Sequence, residues 1–453
     1  MSKKVILKNL LISILFLVLI IVNTFILTNS LVEKILLDMI AGILFIIVSI
    51  YRLKGIKNCL RSIEFIYGFC FFIYSIVGCL VFVMDNYIPR FYYFRIDTVI
   101  LTETLELYIN ALCFYVIFCF VFNRIKTINF DENLQKCGNN TNLSRGIIIF
   151  FDMMAFGVVL YNLSKILRYG VGFFDLSTSL KREILNNGIS HYINLFMLVY
   201  SLFITLTLVT NKNYSKMKGF KFNAFIVILY WLICLTCERR FFVTFLVGFI
   251  FIMLYKIPKI KLKNIIIICS IVILLLFSAA FRDNISFSRH SLADVIYSST
   301  TEFYCTFMIS DAYVYDYHEL KYGSTYIVDS LSKLIPKSLY ENKPQDLSFQ
   351  FKNEYNTNVG FAFNPIAESI LNFGKTFASI MTASIMFAIT VIARSFLKKN
   401  ILYYIIILTF SLDFCRGAFS NVFFDTLFCF IVIFMMFKLV IKRRDLGGKN
   451  GYC

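Results

Sequence analysis

Three polar runs interrupt an otherwise apolar chain and hold residue types that chemistry can use. They are Glu238-Arg239-Arg240, Asp413-Phe414-Cys415-Arg416, and the stretch from Asn364-Pro365 through Glu368 and Asn372 to Lys375. A guanidinium is a planar fork of donors that matches phosphate oxygens, so Arg239, Arg240 and Arg416 are candidate ligands for a phosphate-bearing substrate. A carboxylate or an imidazole can take the proton of an attacking hydroxyl, which makes Glu368 and His290 the candidate bases. Asn364 is a favoured N-cap and Pro365 a favoured first helical residue, so a helix is expected to start there. Counting from that start places Glu368, Asn372 and Lys375 on one helical face, at i, i+4 and i+7. Other motifs are weaker. Cys234 and Cys237 form a lone C-x-x-C within an apolar run, and Asp311, Asp316, His318 and Glu319 lack tight metal-ligand spacing. No Gly-rich phosphate loop points to a nucleotide donor.

The elements that must position these residues are membrane helices. Hydrophobic residues make up 59% of the 453 and charged residues 16%, with 52 Phe; soluble domains carry about 45 to 50% and about 25%. Apolar runs of helix length fall at roughly 9–29, 35–51, 64–84, 101–123, 146–164, 191–210, 222–237, 241–255, 264–281, 371–393, 401–413 and 417–437, an all-α polytopic membrane protein of about twelve spans. The net charge of +18 is spread in short clusters between these runs instead of on one basic domain, which argues against nucleic acid. Every second connection is basic, from Lys3/Lys4 through Arg52–Arg61, Arg124–Arg145, Lys212–Lys221, Lys256–Lys263 and Arg394–Lys399 to the tail Lys438–Lys449. The alternation predicts both termini in the cytoplasm and the segment from Arg282 to Pro365 outside. The chain thus divides into 1–281, with nine spans and an outer loop at 165–190; the long outer loop 282–365; and 366–453, with three spans and a cytoplasmic tail.

Within the long loop, Leu292–Met308 and Tyr326–Tyr340 read as helices lying on or dipping into the interface. Asn223–Tyr255 and Ile401–Phe437 must each supply two spans from too few residues, because about 20 are needed per crossing. Their tips, Glu238–Arg240 and Asp413–Arg416, are therefore expected to be recessed, and ionisable groups at such depth are functional candidates. The helix beginning at Pro365 is expected to present its positive end outward, with Glu368 at the outer surface. Of the 13 cysteines only Cys305 lies in the long loop, so no disulfide can staple that loop internally.

The order and sidedness of Glu238-Arg239-Arg240, of Gly323-Ser324-Thr325-Tyr326 with Leu334-Ile335-Pro336 and Lys343-Pro344, and of Ala367-Glu368 followed by Asn372-Phe373-Gly374 resemble the O-antigen and capsular repeat-unit polymerases of the Wzy type. The resemblance implies a GT-C-like membrane glycosyltransferase in the bacterial cytoplasmic membrane with its active site facing outside. It would transfer a glycan from undecaprenyl pyrophosphate to the sugar end of another lipid-linked repeat unit. It further implies diphosphate binding by Arg239, Arg240 and Arg416, base catalysis by Glu368 or His290, and glycan contacts from Arg168, Arg182, Arg282, Arg289, Tyr326 and Asn372. None of those four loop arginines is followed by glycine eleven residues on, a spacing some members carry. No cofactor or metal is implied; the partners are the lipid-linked donor and acceptor, the bilayer and a chain-length regulator protein. An O-antigen ligase shares this architecture but differs in acceptor, whereas a lipid-linked oligosaccharide flippase should show related halves and short outer loops.

Overall fold

Apolar runs too long for a soluble core and poor in β-specific alternation fold as helices, the one local structure that satisfies its own backbone in lipid. In the computed structural model, residues 3–26, 30–85, 97–121, 145–168, 190–210, 219–237, 239–256, 292–316, 318–335, 339–340, 343–355, 362–399 and 401–444 are described. Among them there is no strand. The helices are α1 (Lys3–Ile21, followed by a π turn Val22–Ile26), α2 (Leu31–Leu53), α3 (Ile56–Cys59), α4 (Ile63–Asp85), α5 (Thr98–Val121), α6 (Arg145–Leu167), α7 (Ser190–Thr210), α8 (Gly219–Cys237), α9 (Arg239–Lys256), α10 (Leu292–Tyr315), α11 (Ser324–Ser332), α12 (Leu347–Glu354), α13 (Pro365–Lys399), α14 (Ile401–Thr409), α15 (Ser411–Arg416) and α16 (Phe419–Arg444). Five stretches among the described residues are long and apolar enough to cross a membrane: Leu7–Phe25, Ile63–Leu80, Thr98–Phe120, Pro365–Leu397 and Phe419–Met436. Shorter apolar helices cover His191–Thr207, Phe222–Trp231 and Arg240–Leu254. The run expected at 264–281 lies outside the described residues.

The chain forms two compact units, each assembled from distant segments: 1–128, 297–395 and 410–424 in one, 129–296, 396–409 and 425–453 in the other. In the first unit, α10 is packed on α4 and α5. Gly78 of α4 lets it approach so closely that a Cβ there would lie 2.8 Å from that of Phe307. Phe307 stacks on Tyr108 of α5 with ring centroids 5.1 Å apart, and the Tyr108 hydroxyl meets Ser310 at 3.3 Å. Tyr108 sits near the middle of the apolar stretch Thr98–Phe120. The stretch expected as an interfacial helix at 292–308 is part of α10, which from Phe303 onward packs against α4 and α5. Phe303, Phe307 and Ser310 of α10 face α4 and α5.

α13 differs from the expected helix. It is broken at Gly374, whose φ of 76° and ψ of 168° lie in a region open essentially to glycine alone. The two arms fold back on each other: Thr382, beyond the break, donates to the Pro365 carbonyl and meets the Ser369 hydroxyl at 2.8 Å. Asn364, before the first arm, bonds Ser310, itself against Tyr108 at mid-span. The first arm therefore starts at mid-bundle and rises to Gly374. The second then descends alongside α5, through Lys375 to Glu103, Ser379 to the Leu107 carbonyl and Thr390 to Tyr115. Pro365–Gly374 is a re-entrant arm, and the expected common face of Glu368, Asn372 and Lys375 stops at Asn372.

The second unit is held by aromatic packing and paired polar groups. Trp231 of α8 stacks on Phe245 of α9 at 4.8 Å and donates its indole N–H to Ser201 of α7 at 2.9 Å. Tyr200 of α7 donates to Asp152 of α6 at 2.7 Å. A buried indole or phenol needs such a partner, because an unmet donor costs about 1–3 kcal/mol.

Candidate functional site

Among the described residues, the candidate residues fall in two polar centres, one in each unit. The first is built where the folded-back arm Pro365–Gly374 meets the segment Lys321–Tyr326. Asn364 caps the arm by accepting from the Ala367 amide at 2.8 Å. At the other end the Leu371 and Asn372 carbonyls would be orphans of helix geometry; the Lys321 and Tyr322 amides donate to them, each at 3.0 Å. The Asn372 side chain completes the joint, accepting from the Gly323 amide at 2.9 Å and donating to Thr325 Oγ1 at 2.6 Å.

Glu368 lies at the heart of this centre. Oε1 accepts from the Thr325 hydroxyl and Oε2 from the Phe419 amide, both at 2.8 Å. Phe419 opens α16, so the carboxylate satisfies an orphan N–H at a helix start, where negative charge is favoured. Tyr326 meets Ser369 at 3.0 Å, stacks on Phe373 and presents an edge to Phe419. Glu368 was expected at the outer surface; it is 1% exposed. The physical reason is direction: the cap signal Asn364-Pro365 correctly starts a helix, but that helix begins at mid-bundle and climbs. Residues 323–326 and 367–374, separate in sequence, thus form one joint.

Arg416 belongs to the same unit. It donates to Asp413 at 3.2 Å across one turn of α15; Asp413 is 1% and the Arg416 side chain 11% exposed. The Asp413–Arg416 tip is accordingly buried in protein. The other tip belongs to the second unit. Arg239 opens α9, but its side chain, like all of Glu238, lies outside the described set. Arg240 donates to Asp425 Oδ2 at 3.2 Å, and Asp425 Oδ1 meets His191 Nε2 at 2.7 Å. The carboxylate of Asp425 is 4% exposed while the side chains it holds are 34% and 40% exposed. Arg240 and His191 are each the second residue of their helices, α9 and α7, so two helix N-termini add positive potential here. Such a centre can bind an anion and exchange a proton.

His191 and Asp425 were missed by reading the sequence, which weighed His290 and His318 instead. The signal was available in Asp425, an ionisable residue inside the apolar run 417–437. Of the other candidates, Arg168 is exposed just past the end of α6, and Arg182, Arg282, Arg289 and His290 lie outside the described residues. His318 pairs with Glu354 at 3.0 Å and Tyr355 at 3.2 Å, and Asp311 is 4% exposed in the bundle, so these two do not share a surface.

Neither the curated proteins nor the solved structures contain a match to this chain. The family model of the O-antigen polysaccharide polymerase Wzy matches residues 10–444, nearly the whole chain. An all-helical polytopic membrane protein with this match belongs to the O-antigen polymerase Wzy family, and its function is to polymerise lipid-linked oligosaccharide repeat units in a membrane.

Proposed function

We propose that the chain is a membrane glycosyltransferase working at the outer leaflet of the bacterial cytoplasmic membrane, with about twelve spans, a GT-C-like architecture and both termini in the cytoplasm. The donor is a glycan on undecaprenyl pyrophosphate, and the acceptor is the sugar end of a second lipid-linked repeat unit. The observation that carries this reading is the half-exposed Arg240 at the tip of the α8–α9 hairpin, beside two helix N-termini. A cation so placed meets a lipid diphosphate where it leaves the bilayer, and stabilises the charge that grows on it as the glycosidic carbon departs.

Arg239, next to Arg240 in the chain, is the second diphosphate ligand in this proposal; Arg416, paired with Asp413, is a separate phosphate-ligand candidate. Arg168, Arg182, Arg282 and Arg289 of the outer loops, with Tyr326, contact glycan, while Asn372, fully buried with its amide occupied on both sides, holds the joint. Glu368, buried with both oxygens occupied, is assigned to holding the re-entrant arm against Thr325 and α16. The division into 1–281, 282–365 and 366–453 separates a lipid-facing body, a glycan-facing loop and a closing helical segment, with a chain-length regulator as partner. The test is reconstitution of purified protein with a synthetic polyprenyl-diphosphate-linked repeat. A ladder of products spaced by one repeat unit, with release of polyprenyl diphosphate, is expected; unreacted single repeats would contradict the reading.

A further inference from the structure

We infer that His191 is the base that takes the acceptor hydroxyl's proton, with Asp425 its positioning residue. The inference rests on the transfer reaction proposed above, and adds to its Arg240 two residues that reading does not use, His191 and Asp425. With the Asp425 carboxylate as acceptor, His191 Nε2 carries the hydrogen in their 2.7 Å contact, and in the neutral imidazole Nδ1 then keeps its lone pair. The imidazole is thereby fixed in tautomer and orientation, and the positive charge it gains on protonation is met by a carboxylate already in place. Phe241 packs on the ring at 5.5 Å and Tyr192 at 5.8 Å, both edge-on, while the side chain keeps 40% of its surface open to a substrate. The same carboxylate bonds Arg240, so one buried group sets the spacing between a proton acceptor and a diphosphate ligand.

The step balances without a further reactant. The acceptor oxygen forms a bond to the anomeric carbon of the donor, whose bond to the diphosphate oxygen breaks with its electron pair leaving on the diphosphate beside Arg240. The hydroxyl proton passes to His191 Nδ1 and then to solvent or the departing diphosphate, restoring the neutral ring. Among the described residues, the charged groups at His191 are Asp425 from α16, which it touches, and Arg240 from α9, which shares that carboxylate.

The experiment uses full-length protein in detergent with the synthetic polyprenyl-diphosphate-linked repeat, reading kcat and KM against pH. His191→Gln is expected to lower kcat by roughly 10²- to 10⁴-fold with KM little changed. The fall in wild-type rate on the acid side should be absent from its residual activity. His191→Ala should regain rate with free imidazole, a response that a packing defect would not give. Asp425→Asn, which misorients the ring, should lower kcat, and added imidazole should not restore it. A His191→Gln enzyme within threefold of wild type, or one with raised KM and unchanged kcat, overturns the base assignment and leaves the polymerase reading standing. A wild-type protein that extends no defined repeat overturns both.

Discussion

The two polar centres differ in what their charges are free to do. In the first, Glu368 is 1% exposed and spends both oxygens on donors from two other segments, Thr325 and Phe419. In the second, Asp425 is equally buried but holds side chains that are 34% and 40% exposed. A closed, satisfied network stiffens a fold, since breaking one link strands a buried partner. An open one, with a buried carboxylate behind partly exposed Arg240 and His191 side chains, can exchange its solvent for a substrate. The comparison assigns architecture to the first centre and chemistry to the second, although the carboxylate that stands out in the sequence belongs to the first.

The sharpest break of this comparison is Arg240→Ala, which removes the diphosphate ligand and should lower kcat/KM by about 10²- to 10³-fold. Arg240→Lys should recover only part of that, because a point charge lacks the bidentate fork. Product release from the lipid-linked repeat checks both, with unchanged yield of membrane-inserted protein. Glu368→Ala should act differently. It leaves the Thr325 hydroxyl and the Phe419 amide without their acceptor, about 1–3 kcal/mol for each, so thermal stability and folded yield should fall together with activity. Gly374→Ala forces an L residue into the re-entrant turn at a cost of about 1–3 kcal/mol, read as a lower Tm with KM for the repeat little altered.

The smallest effect is expected in the loop. Asp346 caps α12 through the Ser348 amide at 3.0 Å and pairs with Lys333 at 3.4 Å. Burial alone would raise its carboxyl, but Lys333, the Ser348 amide and Asn421 together hold it below the usual carboxylate range. A depressed folded value means the contribution is complete above the unfolded value, near 3.9, and is lost as pH falls through the folded one. Asp346→Ala should therefore cost about 1 kcal/mol at pH 7, and the difference in Tm from wild type should vanish under strongly acid conditions.

Much of the helix map could be read from apolar length: 64–84 against Ile63–Asp85, 191–210 against Ser190–Thr210, 222–237 against Gly219–Cys237. The short hairpin at Ile401–Phe437 also announced itself, and its tip is buried at Asp413. Three features were not legible, each for a physical reason. Gly374 falls inside an apolar run, and periodicity does not register a single residue at positive φ. Cap residues mark where a helix starts but not the depth from which it climbs, so Glu368 was read as a surface group. His191 and Asp425 are far apart in sequence and isolated in apolar helices, and only tertiary packing brings them to 2.7 Å. Spacing within one segment cannot reveal a site built across three.

The most direct test of the division between the centres is the single-turnover transfer rate of purified Glu368→Gln set beside that of His191→Gln, on the same synthetic repeat. Glutamine at 368 can still accept from the Phe419 amide while its own amide donates to Thr325, so that variant should stay within about tenfold of wild type. His191→Gln should fall by roughly 10²- to 10⁴-fold, the loss typical when a general base is removed. The reverse order, with Glu368→Gln inactive though folded and His191→Gln near wild type, would contradict the account and place the base in the buried centre.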